Sequence, residues 1–323
     1  ITFTFKSLMA YLHDHKDFKS LLDIVADEMG IEAGLVEKDY WIMHTLYGLK
    51  KQGFQFELKG GTSLSKGFQI IDRFSEDIDI HITPDAALNV IEDPSKNKQS
   101  HIDSRANFFE WLVQKIQIDG IISQERDHEF DNITFTSGGI RLYYENRVDK
   151  VKGAKEGILL EAGFDTVTPN SKRTISSWAL DRAKLNDGIE FTNNTAVDII
   201  CYDPGYTFVE KLQTVATKYR QEQTDGKVRK NYMRQYYDLH CLLNTNHVQE
   251  FIKTEAYQVH KKTRFPKADY AIPISENQAF LLSDPDQRAA FQKRYLDTSK
   301  LYYKGQPDFE DLLTSIHKFI HLL

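Results

Sequence analysis

Cysteine is scarce. The 323 residues hold two, Cys201 and Cys241, which form no CxxC pair, so neither a disulfide scaffold nor a zinc knuckle is expected. Isolated thiols suit a reducing compartment, and a cytoplasmic protein is expected. Only 8 prolines and 17 glycines occur, without low-complexity runs, which excludes collagen-like and disordered classes. No apolar run approaches the roughly 20 residues of a bilayer-spanning helix, so no membrane partner is expected. Ile1-Thr2-Phe3-Thr4-Phe5 lacks the basic and then apolar pattern of a signal peptide. Residue 1 is not Met, which leaves room for residues upstream. No Gly-x-Gly-x-x-Gly run supports dinucleotide binding. The 11 histidines are scattered and complete no zinc set, and no Ser/His/Asp triad follows from spacing. No heptad run suggests a coiled coil, so a monomer is expected.

What is present fits an ordinary globular protein, with 41% hydrophobic and 27% charged residues. A chain of this length buries a core without metal or disulfide staples. The net charge of −6 argues against a nonspecific nucleic-acid coat. Charge is uneven, however. Lys211, Lys218, Arg220, Lys227, Arg229, Lys230 and Arg234 face only Glu222 and Asp225 in the same stretch, and a second basic cluster runs from His260 to Lys267. Such clusters suit a phosphate-rich ligand.

Periodicity divides the chain. Residues 4–52 read as helices, one ending at Gly30 and the next covering Glu32–Lys51. Phe54, Phe56 and Leu58 alternate with polar residues as in a strand that ends at Lys59-Gly60-Gly61. Thr62–Ile71 reads as a short helix, and Asp77–Ile82 as a second strand. Residues 96–118 read as a helix. From 121 to 201 strands dominate, including Ile133-Thr134-Phe135, Arg141–Tyr144, Ile158–Glu161 and Ala196–Cys201, with turn signals at Ser137-Gly138-Gly139 and Lys152-Gly153. After Asp203-Pro204-Gly205 the pattern is helical to the end. The expected domains are 1–203, an α/β core preceded by helices, and 204–323, a helical domain.

Two segments carry the chemistry: Lys59-Gly60-Gly61-Thr62-Ser63-Leu64-Ser65-Lys66 and Arg73-Phe74-Ser75-Glu76-Asp77-Ile78-Asp79. Two glycines between strand and helix allow close approach of backbone to a ligand. The helix N-terminus offers unpaired N–H groups suited to phosphate, and Thr62 and Ser63 add hydroxyl donors. Asp77 and Asp79, two apart in a strand, point to one face. Adjacent carboxylates repel unless a cation lies between them, and Mg²⁺ prefers such oxygen ligands. A phosphate cradle beside paired carboxylates describes nucleotidyl or phosphoryl transfer. Taken separately, Gly-Gly reads as a turn and Asp-x-Asp as a solvated face; the specificity lies in their order and separation.

With these segments in place, the chain resembles the nucleotidyltransferase superfold of DNA polymerase β type, and more narrowly the AbiEii/AbiGii family of toxin nucleotidyltransferases. Four blocks carry the resemblance: Val36-Glu37-Lys38-Asp39-Tyr40-Trp41, the two segments above, and Phe208-Val209-Glu210-Lys211-Leu212 followed by Arg234-Gln235-Tyr236-Tyr237-Asp238-Leu239. The resemblance implies an α+β fold with a mixed sheet, flanked by N-terminal helices and a C-terminal helical domain. It implies that Gly60, Gly61, Thr62 and Ser63 hold the triphosphate of an NTP, with Lys66 beside them, and that Asp77 and Asp79 bind Mg²⁺. Lys211 would neutralise phosphate charge and Asp238 would complete the site. Glu161 is the leading candidate for a third strand carboxylate, with Asp165 and Asp198 as rivals. Arg73 and Ser75 either touch the nucleotide or brace the turn. The implied reaction moves an NMP from an NTP to an acceptor hydroxyl, with RNA, and the tRNA 3′ end in particular, the favoured acceptor in a toxin–antitoxin or phage-defence system. A cognate antitoxin is the implied protein partner. Two alternatives stand beside this reading: modification of a small molecule or protein, and a non-catalytic NTP-binding module.

Overall fold

In the computed structural model, residues 10–151, 155–186, 188 and 190–323 are described. The expected turn at Lys152-Gly153 and the helical reading of residues 4–9 lie outside them. Contacts divide the chain into two units. The first holds residues up to 67 and 75–201; the second holds 68–74 and 202–323.

In the first unit, α1 (Phe18–Met29) buries Phe18, Leu22 and Val25 and turns Ile24 outward. It ends at Gly30, whose φ of +67° is the left-handed cap glycine supplies readily. Next comes α2 (Ala33–Lys51), buried on every side from Leu35 to Leu46. A helix enclosed this way while carrying Glu37, Lys38 and Asp39 in succession must find a partner for each charge, because an unpaired buried charge is costly.

The sheet strands follow this helix in the chain. Strands β1 (Gln55–Lys59) and β2 (Asp77–Thr83) pair antiparallel, with Lys59 opposite Asp79. Between β1 and β2 lies the short α3 (Gly60–Thr62); after α4 (Gln99–Lys115) come β3 (Ile121–Asp127), β4 (Ser137–Tyr144), β5 (Ile158–Gly163), β6 (Asn170–Ile175), helix α5 (Trp178–Ala183) and β7 (Ala196–Tyr202). The strand order is β3-β4-β5-β2-β1-β7-β6. Parallel pairs β2–β5 and β1–β7 alongside antiparallel β1–β2, β3–β4 and β4–β5 make the sheet mixed. The fold is α+β.

Local departures from the sequence reading have identifiable causes. Ile133–Phe135 is a turn rather than a strand: Phe135 sits at φ +49°, and the Asn132 side chain accepts from the Thr136 N–H. Ser137-Gly138-Gly139 starts β4 instead of turning, because the chain needs glycine there for close approach. A Cβ on Gly139 would lie 2.5 Å from the Asp127 carbonyl oxygen. The helix read at Thr62–Ile71 starts two residues earlier and stops at Gly67. Neither β6, whose residues are mostly exposed and polar, nor α5 was anticipated.

The second unit contains α6 (Pro204–Asp225), α7 (Arg234–Leu243), α8 (Asn246–Phe251), α9 (Glu255–Arg264), α10 (Lys267–Tyr270), α11 (Gln278–Leu281), α12 (Pro285–Leu296) and α13 (Phe309–Phe319) among the described residues. Asp203 caps α6 through the N–H groups of Gly205 and Tyr206, and Pro204 follows at the first turn. Segment 68–74 is tied in by backbone: the Phe74 N–H donates to the Leu301 carbonyl at 2.7 Å and the Tyr303 N–H to the Asp72 carbonyl at 3.2 Å.

Candidate active site

The glycine bend comes first. β1 ends at Lys59, and α3 (Gly60–Thr62) passes directly into a wider turn over Ser63–Gly67. Gly60 has φ +69°, and a Cβ there would lie 2.2 Å from Asp79 Oδ2. Only glycine allows the strand carboxylate to approach the bend so closely. Thr62 and Ser63 are fully buried. The Thr62 hydroxyl donates to the Asp77 carbonyl at 2.5 Å, and the Ser63 hydroxyl lies beside the buried Cys201 thiol. What the bend can offer a phosphate is therefore main-chain N–H groups, while the Thr62 hydroxyl ties the bend to β2. Gly61 is buried within the same turn.

On β2, Asp77, Asp79 and His81 share one half-buried face while Ile78, Ile80 and Ile82 fill the core on the other. Parallel β5 places Glu161 in register with Asp79, so its carboxyl shares that face. Burial, then the Asp79 and Asp77 charges, push the Glu161 carboxyl up to about 8. Asp165 lies 3.4 Å from the Lys59 ammonium and Asp198 is exposed on β7, so of the three candidates Glu161 is the one in register with the pair. A cavity of about 330 Å³ adjoins these groups, lined by Lys59, Asp79, Asn132, Ser137, Glu161 and Asp165.

This donor set tests the implied metal. Three carboxyl groups crowd one sheet face, and burial, then the other two charges, drive Glu161 toward its neutral form. A hard divalent cation with oxygen ligands relieves that repulsion, so the residues fit such an ion in their chemistry. Among the described residues, no three His, Cys, Asp or Glu side chains converge as a preformed metal cage. Asp77 instead holds the Lys155 ammonium, 2.9 Å from both its oxygens.

Behind this face, α2 meets the demand of its buried charges. Glu37 accepts the Arg147 N–H at 2.8 Å, and Lys38 donates to the Lys155 carbonyl at 2.5 Å and lies 3.3 Å from Glu76. Asp39 takes the Lys66 ammonium at 2.7 Å and the Trp178 N–H at 2.8 Å. Lys66 also lies 5.0 Å from the centre of the Trp178 ring. Its charge is thus anchored to Asp39 and braces the turn after the bend. Ser75 is half-buried just ahead of Glu76. The residues missing from the sequence reading are Lys155, Glu76 and the individual roles of Glu37, Lys38 and Asp39. The Val36–Trp41 block was the available signal for the last three.

In the second unit, Asp238 on α7 is fully buried. Arg73 grips it with two hydrogen bonds of 2.6 and 2.7 Å, and the Lys211 ammonium from α6 lies 2.9 Å from Oδ2. Burial pushes this carboxyl up, but Arg73 and Lys211 more than offset it and hold it at about 2. Arg73 is thereby a partner of Asp238, together with Lys211. Lys218 joins Lys211 and Arg234 in a cationic group; burial first, then those neighbours, lower its pKa. In the basic clusters, Arg229 pairs with Asp225 and Arg264 with Glu210, whereas Lys227, Lys230, Lys262 and Lys267 are exposed.

A family model described as "Nucleotidyl transferase AbiEii toxin, Type IV TA system" matches residues 45–315. The chain belongs to this family. The AbiEii match begins within α2 and reaches α13, so it contains the glycine bend, the strand acids and Asp238. The chain is thus a toxin-type nucleotidyltransferase by family. No curated protein matches it. Among solved structures it is similar to an antigenic nucleotidyltransferase-like protein from Paracoccidioides brasiliensis, at 12% identity over 73% of this chain and 97% of that one, with a TM-score of 0.33. No helix among the described residues is long and apolar enough to cross a membrane.

Proposed function

We propose that this AbiEii-family chain transfers an NMP from an NTP to an acceptor hydroxyl of RNA, the tRNA 3′ end foremost, and releases pyrophosphate. The observation that carries the reading is the Asp79 carboxylate packed against Gly60, on the same sheet face as Asp77 and Glu161. Asp77 and Asp79, with Glu161 beside them, would hold Mg²⁺, which supplies charge stabilisation for the phosphoryl group in transit when bound. The N–H groups of the Gly60–Thr62 turn receive phosphate oxygens. Asp238 has both oxygens engaged by Arg73 and Lys211, so its part is to orient Lys211. Lys211 is proposed to serve the phosphates as a fixed cation, the electrostatic contribution that dominates such chemistry. The acceptor's proton then falls to Asp79 or Glu161. Exposed Lys227, Lys230, Lys262 and Lys267 suit an RNA backbone. The family's toxin–antitoxin context makes a cognate antitoxin the expected protein partner of a cytoplasmic monomer.

The test incubates the chain and an α-labelled NTP with total RNA, with protein extract and with small hydroxylated acceptors. Label in RNA, lost in Asp77→Asn and Asp79→Asn at unchanged far-UV circular dichroism, is expected. RNA affinity should fall as salt rises. Label in protein or in a small molecule reassigns the acceptor. NTP binding without transfer to any acceptor rejects the enzyme, and full transfer by either Asn variant rejects the metal role.

A further inference from the structure

Lys155 has no role in the transfer as proposed so far, yet its position is more closely specified than that of an ordinary surface lysine. Its main chain is held at both polar atoms: the N–H donates to Glu76 Oε2 at 2.9 Å, and the carbonyl accepts from Lys38 Nζ at 2.5 Å. Lys38 is itself buried in α2, and Glu76 immediately precedes Asp77. Bracing one lysine's backbone in this way therefore joins the central helix to the acid-bearing strand. From this fixed base the side chain places its ammonium 4.7 Å from the centre of the Phe130 ring and 2.9 Å from each Asp77 oxygen.

That contact conflicts with the role given to Asp77. The ammonium occupies lone pairs on both oxygens that a metal would use. A divalent cation on the same carboxylate also repels an ammonium a few ångströms away with a doubled charge. The two cations therefore compete for Asp77. The lysine arm is long, flexible and partly solvent-exposed, so it can leave while its backbone stays anchored. We propose that Lys155 is an exchangeable counter-ion. It neutralises Asp77 in the nucleotide-free protein, yields that carboxylate to the divalent cation, and the released ammonium then meets the triphosphate. The inference rests on the nucleotidyl-transfer reading, since it needs Asp77 to take a metal.

The exchange predicts effects of opposite sign, which a purely structural salt bridge does not. In the full chain without nucleotide, Lys155→Met removes the competitor and should bind Mn²⁺ about tenfold more tightly, read as loss of the free-ion electron paramagnetic resonance signal. At saturating Mn²⁺ the same variant should bind a non-hydrolysable NTP analogue about tenfold more weakly. Equal or weaker Mn²⁺ binding by the variant overturns the exchange alone. Failure of both wild type and variant to bind Mn²⁺ overturns the metal reading of Asp77 and the exchange with it. Wild-type protein gives a check that does not depend on the variant folding. Acetylation by a succinimidyl ester, followed by peptide mass spectrometry, should modify Lys155 severalfold faster with Mn²⁺ present. An unchanged rate overturns the exchange.

Discussion

Gly60 and Asp238 show two ways in which a single residue is constrained. At Gly60 a methyl group has no room, because it would meet Asp79 Oδ2 and the backbone lies at positive φ. Gly60→Ala should therefore displace Asp79 by a fraction of an ångström or more and lower transfer about 100-fold, measured as initial rates. At Asp238 the constraint is charge. Its folded pKa of about 2 lies below the unfolded value near 3.9. Its ionisation therefore adds stability that is present above about pH 4 and lost as pH falls toward 2. Urea titrations of Asp238→Asn should show that acid-side slope reduced, with a loss of about 3–5 kcal/mol at pH 7 because Arg73 is left buried without its anion. The strand acids were legible in the sequence since a period of two fixes which residues share a face. The Arg73–Asp238 pair was not, because the two lie 165 positions apart and no local spacing links them.

Among elements, α2 does the most to hold the first unit's site in place. Its pattern misleads when read only as amphipathic, since charged and apolar residues alike are enclosed. Glu37, Lys38 and Asp39 point to successive sides and fix the 147–148 backbone, Glu76 with Lys155, and Lys66 with Trp178. Lys38→Met keeps the volume but leaves Glu76 and the Lys155 carbonyl without their donor. A loss of about 1–3 kcal/mol in chemical denaturation is expected, together with slower transfer. Strand and helix periods located most elements correctly, including β1, β2, α2 and α4. They failed where glycine and asparagine serve more than one purpose. The glycines opening β4 permit packing against Asp127, and Asn132 closes a turn within a segment whose residues favour a strand.

The whole chain was legible as a helical, then mixed, then helical series, because changes of period survive without any knowledge of contacts. What linear reading could not supply is membership of the short stretch 68–74, which sits between two segments of the first unit but packs with the second. Its residues carry no composition shift; the Arg73–Asp238 ion pair, the backbone hydrogen bonds to Leu301 and Tyr303, and the contacts of Asp72 with Tyr237 and Lys304 define its place. That assignment bears on how the protein can be divided. A fragment covering 204–323 would inherit an aspartate in its interior while leaving the guanidinium behind, so it should emerge from expression aggregated or loosely folded. Fusing 68–74 to it through a flexible tether should restore a cooperative thermal transition, and a tether carrying Arg73→Ala should not. Dissection, permutation and split-reporter designs for this chain thus have to respect a seven-residue loan from one sequence half to the other.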